Sequence, residues 1–286
     1  MIQITECPRD AMQGIKTFIP TELKVNYHNA LLKVGFDTID IGSFVSPKAI
    51  PQMADTKEVL KKIDLTSSRS KLLTIVANKR GAEDAVQFDE VTYLGFPFSI
   101  SETFQQRNIN SGIKESLIRL EQVQNLCVKH NKQMMTYFSM AFGNPYGDEW
   151  SVHIVAHWAE RLMNEFGIKN LALSDTIGAS TKENIHLLFS KLIPEFPSVH
   201  IGAHLHTTPT TWYEKVDAAI HSGCTRFDSA IKGYGGCPMA KDDLTGNMPT
   251  ENLLSYLQEH HIEHSINQEA FEDAMRISSE IFDFYH

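Results

Sequence analysis

Eight short apolar runs alternate with longer segments of helical periodicity along nearly the whole chain, and this alternation restricts the fold more than any other feature. The runs are Ile2–Glu6, Thr38–Gly42, Leu72–Val76, Glu90–Gly95, Met134–Ser139, Asn170–Ser174, His200–His204 and Arg226–Ile231. Each is bounded by polar residues, Gly or Pro, as strands are. Helical segments are expected at Thr21–Val34, Lys114–His130, Trp150–Phe166, Thr211–Ser222, Thr250–His260 and from Gln268 to about Phe284. Another opens at Thr181 with Asn184 and is ended by Pro194. Within Trp150–Phe166, the residues Val155, Ala159, Leu162, Met163 and Phe166 keep the i, i+3, i+4, i+7 spacing of a buried helix face. Parallel strands need a crossover of a dozen or more residues, usually a helix. Strand–helix alternation repeated eight times therefore predicts an α/β fold, a closed (β/α)₈ TIM barrel with extra C-terminal helices. An open doubly wound sheet would carry GxGxxG after its first strand. This chain has Cys7-Pro8-Arg9-Asp10 there. A single catalytic domain is expected over 1–286, with the barrel in about 1–235 and a metal-closing loop and C-terminal helices in about 236–286. Residues 96–113 read as the longest irregular stretch, a loop over the barrel mouth.

Barrels of this class hold their chemistry at the C-terminal ends of the strands, so the residues at the end of each run are informative. The second run contains Asp40 and ends at Ser43; the sixth ends at Ser174-Asp175-Thr176. The seventh ends at His204 and His206, whose i, i+2 spacing puts both on one face of an extended segment. Gly233-Tyr234-Gly235-Gly236-Cys237 comes after the eighth. Singly, each has a structural explanation: Asp10 as a partner of Arg9, Asp175 as a helix cap, the glycines as a turn. Gathered on one rim, they predict a site. Two imidazoles and a carboxylate form a facial ligand set for a divalent cation and leave positions open for water and substrate. Mg²⁺ or Mn²⁺ suits these donors; zinc stays open, without a cysteine at structural-zinc spacing. Asn78-Lys79-Arg80 adds a cationic cluster after the third run, while His260, His261 and His264 read as a solvated loop.

The formal charge of −9 carries no basic patch for nucleic acid, and no apolar stretch has the length of a membrane span. Four scattered cysteines without a CxxC pair, and a start lacking a basic segment followed by an apolar one, predict a cytoplasmic protein.

The stretches "ECPRDAMQ", "SFVSPKAIPQMAD", "RNINSGIKES", "LSDTIG", "GGCP" and "GNMPTENL", in that order, resemble the 3-hydroxy-3-methylglutaryl-CoA lyases. These are a branch of the metal-dependent (β/α)₈ lyases and condensing enzymes, and the resemblance covers nearly the whole chain. It implies cleavage of an acyl-CoA, 3-hydroxy-3-methylglutaryl-CoA, into acetyl-CoA and acetoacetate, by a homodimer. By position it implies that Asp10, His204, His206 and Asn247 hold the divalent metal. Arg9 would face the thioester carbonyl, Asp10 would serve as base, and Cys237 would transfer a proton. Gln13, Asp40, Ser43, Asp175, Thr176 and Gly236 would orient substrate or ligands, and Asn108 and Asn110 would border the coenzyme A path. Several positions depart from the family pattern. Cys7, Ala11 and Met12 replace two glycines and a leucine, Asp40 stands for a glutamate, and Thr207 stands for an aspartate. Lys232 and Tyr234 alter the loop before Gly235-Gly236-Cys237. The alternatives are a related metal-dependent aldolase or lyase acting on another hydroxyacyl-CoA or hydroxy acid, and a non-catalytic barrel.

Overall fold

The computed structural model describes residues 1–236 and 245–285. Ten strands are described: β1 Gln3–Glu6, β2 Thr38–Ser43, β3 Lys71–Ile75, β4 Val91–Ser99, β5 Gln133–Ser139, β6 Asn170–Ser174, β7 His200–His204, β8 His206–Thr207, β9 Arg226–Ser229 and β10 Gly246–Asn247. Strands β1 to β7 run parallel in chain order, and β9 pairs with both β7 and β1 to close the barrel. The expected TIM barrel is the fold. Short β8 and β10 lie outside it as an antiparallel pair at its mouth.

The helices lie between the strands, as the periodicity predicts. Thr181 caps Lys182–Glu195 in a capping box with Asn184. Pro194 does not end this helix but lies inside its last turn, because the Phe196 N–H still reaches the Leu192 carbonyl across it at 3.0 Å. The stretch 96–113 is likewise not an irregular loop. Strand β4 continues to Ser99, with Phe98 stacked on Phe138 at 5.9 Å and packed on Trp158 at 5.5 Å. Ser101 then caps a helix, Glu102–Ile109, by accepting from the Phe104 N–H. Scattered polar residues hid both features, because the burial is supplied by neighbouring strands. At the other end of the chain, β9 stops at Ser229 rather than Ile231, and Ile231–Gly233 forms a 3₁₀ turn around Lys232 at φ 60°.

Alternate residues of each strand point inward. Leu73, Ile75, Tyr93, Met135, Tyr137 and Ala172 from β3–β6 fill one side of the interior. Met134, its neighbour in sequence, packs instead with the shell between strands and helices. The C-terminal helix Gln268–Tyr285 seals the helix Thr21–Val34, with Phe282 edge-on to Tyr27 at 6.1 Å. Among the described residues no helix is long and apolar enough to cross a membrane.

Glu6 joins the barrel to the segment after β9. Its fully buried carboxyl accepts from the Ile231 N–H at 2.8 Å and from the Thr250 hydroxyl at 2.6 Å. Burial outweighs these bonds and pushes its pKa up to about 8. A raised folded-state pKa gives a stabilising contribution that is complete below the unfolded value of 4.5 and is lost as pH rises through about 8. The wild type is therefore expected to lose stability across that window relative to Glu6→Gln, as read by denaturant titrations at several pH values. Parallel pH profiles of the two proteins would contradict this.

Candidate metal centre

Strand β1 runs directly into the helix Pro8–Gln13, whose first-turn proline suits a position needing no N–H. Arg9 and Asp10, both buried, stand in this turn at the barrel mouth. The Arg9 guanidinium donates through Nε and Nη2 to Asp40 Oδ2, at 2.9 and 2.6 Å. Its Nη1 donates to Asp10 Oδ1 at 3.0 Å and to Gln13 Oε1 at 2.8 Å. Gln13 Nε2 donates to Asp10 Oδ1 at 2.6 Å. The shorter carboxylate of Asp40 thus still reaches the arginine. Burial raises the Asp40 pKa to about 6 despite Arg9, and its Oδ1 is buried without a partner. Asp10 goes the other way. Burial opposes its ionisation, but Arg9, the two histidines and the Asn247 amide outweigh it and hold the carboxyl below its usual range.

The histidines arrive from β7 and β8. His204 Nδ1 meets Asp228 Oδ2 at 3.2 Å, so Nε2 is its atom for a ligand. His206 is buried, and no side chain hydrogen-bonds to either of its ring nitrogens; the Thr176 backbone is its polar neighbour. Burial and the neighbouring His204 push its pKa down to about 4, which keeps the imidazole neutral. Pairing of β8 with β10 sets Asn247 directly opposite His206. Asn247 Nδ2 donates to Asp10 Oδ2 and to the Tyr234 carbonyl, both at 2.8 Å, which leaves Oδ1 as the acceptor for a cation. Gly235, at φ 84°, makes this approach possible, because a Cβ there would lie 2.6 Å from the Asp10 carbonyl oxygen.

Ligand atoms of Asp10, His204 and His206 all lie within 4.8 Å of one another. A buried imidazole with no side-chain hydrogen-bond partner costs free energy unless something occupies it. Together with a carboxylate and an amide oxygen, this donor set fits a divalent cation that keeps open positions.

The other expected site residues differ in their surroundings. Gln13 and Asp40 touch Arg9, as above. Asp175 is fully engaged: it accepts from the Ser180 N–H at 2.9 Å, the Ser180 hydroxyl at 2.5 Å and Lys215 Nζ at 2.9 Å. Lys215 also donates to the His206 carbonyl at 2.8 Å, so this buried pair secures the strand carrying His206. Thr176 Oγ1 accepts from the Met140 N–H, and Ser43 Oγ donates to the Ile75 carbonyl. Gly236 succeeds Gly235 at φ 125°, and Cys237 lies outside the described residues. Asn108 is exposed on the helix Glu102–Ile109, and Asn110 is its left-handed C-cap. His260 of the exposed cluster bonds to the Tyr213 hydroxyl at 3.0 Å and stacks on Tyr256 at 4.1 Å.

Three residues around the centre were not singled out from sequence. Alternation along "RFDS" puts Asp228 on the inward face, a legible signal. Tyr137, edge-on to His204 at 5.6 Å with a buried, unpartnered hydroxyl, looked like any strand aromatic. Lys215 looked like a helix-surface lysine.

A cleft of about 490 Å³ opens at the ends of β2 and β3. Ser43, Phe44, Lys48, Lys57, Asn78 and Arg80 are among its lining residues, whereas Asn108 and Asn110 are not. Asn78 caps the helix Lys79–Ala85 by accepting from the Gly81 N–H; Arg80 of the cationic cluster after β3 lines this cleft, whereas Lys79 pairs with Glu83 at 3.5 Å.

The chain is 37% identical over 265 residues to hydroxymethylglutaryl-CoA lyase YngG of Bacillus subtilis, covering 92% of this chain and 86% of that protein. The crystal structure of the B. subtilis HMG-CoA lyase superposes with a TM-score of 0.91 at 35% identity, over 98% of this chain and 93% of that one. An HMG-CoA lyase from Acinetobacter baumannii, solved in complex with coenzyme A and 3-methylmalate, superposes with a TM-score of 0.89 at 28% identity, over 98% and 91%. The model of the HMGL-like family matches residues 2–277, and with this the chain belongs to the HMGL-like family.

Proposed function

We propose that this chain is a carbon–carbon lyase that cleaves 3-hydroxy-3-methylglutaryl-CoA into acetyl-CoA and acetoacetate, with Mg²⁺ or Mn²⁺ held by Asp10, His204, His206 and Asn247. The observation that carries the proposal is the buried His206, whose ring nitrogens have no side-chain hydrogen-bond partner, grouped with Asp10 and His204 at the mouth of a barrel of this family. When bound, the cation supplies a Lewis acid for the substrate's tertiary alcohol. Asp10 is the carboxylate that would accept the hydroxyl proton. The electron pair of the breaking carbon–carbon bond passes to the thioester carbonyl. Arg9, held rigid by Asp40, Asp10 and Gln13, stands ready to stabilise the oxyanion formed there. Cys237, which follows Gly235-Gly236 in the sequence, would then protonate the acetyl carbon, as a thiol can.

The coenzyme A phosphates are assigned to the cleft beside β2 and β3, where Lys48 and Arg80 supply the positive charge. Arg80→Glu is expected to raise KM for the acyl-CoA about tenfold, the effect of about 1.4 kcal/mol of lost binding, with kcat little changed. Steady-state kinetics decide this, and an unchanged KM would remove the cleft from the proposal. The reaction itself is tested by supplying the acyl-CoA to metal-loaded protein and measuring acetoacetate.

A further inference from the structure

Of the polar side chains in the barrel interior, Arg226 has no part in the reaction described above. It is a buried guanidinium on β9, and strand alternation points it to the same side as Asp228. Its Nη2 donates to Asp228 Oδ1 at 2.6 Å, while Asp228 Oδ2 meets His204 Nδ1 at 3.2 Å. Thr5, opposite Asp228 in the β1–β9 register, adds a hydroxyl hydrogen bond to the same carboxylate. A continuous chain of contacts therefore runs from Arg226 through Asp228 to an imidazole of the candidate metal centre. Room for it comes from Gly202 on β7, where a Cβ would lie 2.5 Å from Arg226 Nη1 and 3.1 Å from its Cγ.

We propose that Arg226, seated over Gly202, is a positioning residue for the metal ligand His204, acting through Asp228. This rests on the metal-site reading and deepens it. Without Arg226, Asp228 would keep Thr5 and His204 but lose the charged donor that holds Oδ1, and the plane of its partner imidazole would be less firmly fixed. With the guanidinium on Oδ1 and His204 on Oδ2, the carboxylate plane is set. Nδ1 of His204 is then the donor, and Nε2 is aimed at the cation position. Arg226 does not touch the substrate or the cation in this scheme. Its contribution is preorganisation of one ligand.

The test is calorimetric titration of Mn²⁺ into the metal-free full-length protein, with melting temperatures measured alongside. Arg226→Met, which keeps bulk but removes the donors, is expected to weaken Mn²⁺ binding by about 10- to 100-fold, the usual cost of losing a partner behind a ligand. Arg226→Lys is expected to recover part of this. Gly202→Ala, which displaces the guanidinium without removing its charge, is expected to weaken binding in the same direction. Folded Arg226→Met and Gly202→Ala proteins with wild-type Mn²⁺ affinity would overturn the proposal, as would a lowered melting temperature with unchanged affinity. If Arg226→Met does not fold, the lysine and alanine variants decide: weakened binding in either supports the role, and wild-type affinity in both overturns it. A wild type that binds no Mn²⁺ would instead sink the metal-site reading itself, so the two failures are distinguishable.

Discussion

His206→Ala is expected to abolish tight binding of Mg²⁺ or Mn²⁺ and to reduce turnover by about 10³-fold or more, while the barrel stays folded. Burial is the reason. His206 carries two buried ring nitrogens without a side-chain partner, and its imidazole is held neutral. A neutral, buried nitrogen so placed contributes little to stability through hydrogen bonds and is a good ligand. Its removal leaves a cavity but also relieves a desolvation penalty; the larger loss falls on the cation. Lewis-acid assistance to such a cleavage is worth several kcal/mol of barrier, and each 1.36 kcal/mol is about tenfold in rate. Metal content after dialysis, circular dichroism and kcat together check the result. Retained metal with lost activity would move His206 from ligand to some other role.

The second large effect is expected at Arg9. Arg9→Met removes the positive charge proposed to face the developing oxyanion, and losing one such donor costs about 10²–10³ in kcat. It also strands two carboxylates. Asp40 Oδ2 loses two hydrogen bonds from the guanidinium, and Asp10 loses the charge that outweighs its burial. Stability is expected to fall by about 3–5 kcal/mol, the range for breaking a buried ion pair by removing one partner. Arg9→Lys restores a charge but not the fork, so it is expected to recover stability better than rate. Denaturant unfolding and kcat, measured on both variants, separate the two contributions. Equal recovery of both by lysine would mean that the fork geometry is unimportant.

The order of elements was legible because the barrel repeats one pattern, and each strand of it is short, apolar and punctuated. Asn170–Ser174 and His200–His204 are found with the boundaries read from sequence. The features that were not legible depend on neighbours. The extension of β4 to Ser99 is stabilised by Phe138 and Trp158, which are distant in sequence, whereas the helix behind it is capped locally by Ser101. At the site, the i, i+2 spacing of His204 and His206 was readable, but the pairing that sets Asn247 opposite His206 joins segments about forty residues apart. Asp175 shows the converse limit. Its position at a strand end suggested a substrate contact, yet both oxygens are engaged by Ser180 and Lys215. The lysine that engages it sits on the next helix but one, where sequence reads only an amphipathic surface.

The most direct measurement of the proposed reaction is product formation from 3-hydroxy-3-methylglutaryl-CoA by protein stripped of metal and then reloaded. Acetoacetate and acetyl-CoA are expected in equal amounts with Mg²⁺ or Mn²⁺ restored, and neither product from the stripped protein. Folded, metal-loaded protein that leaves the acyl-CoA intact would contradict the proposed activity.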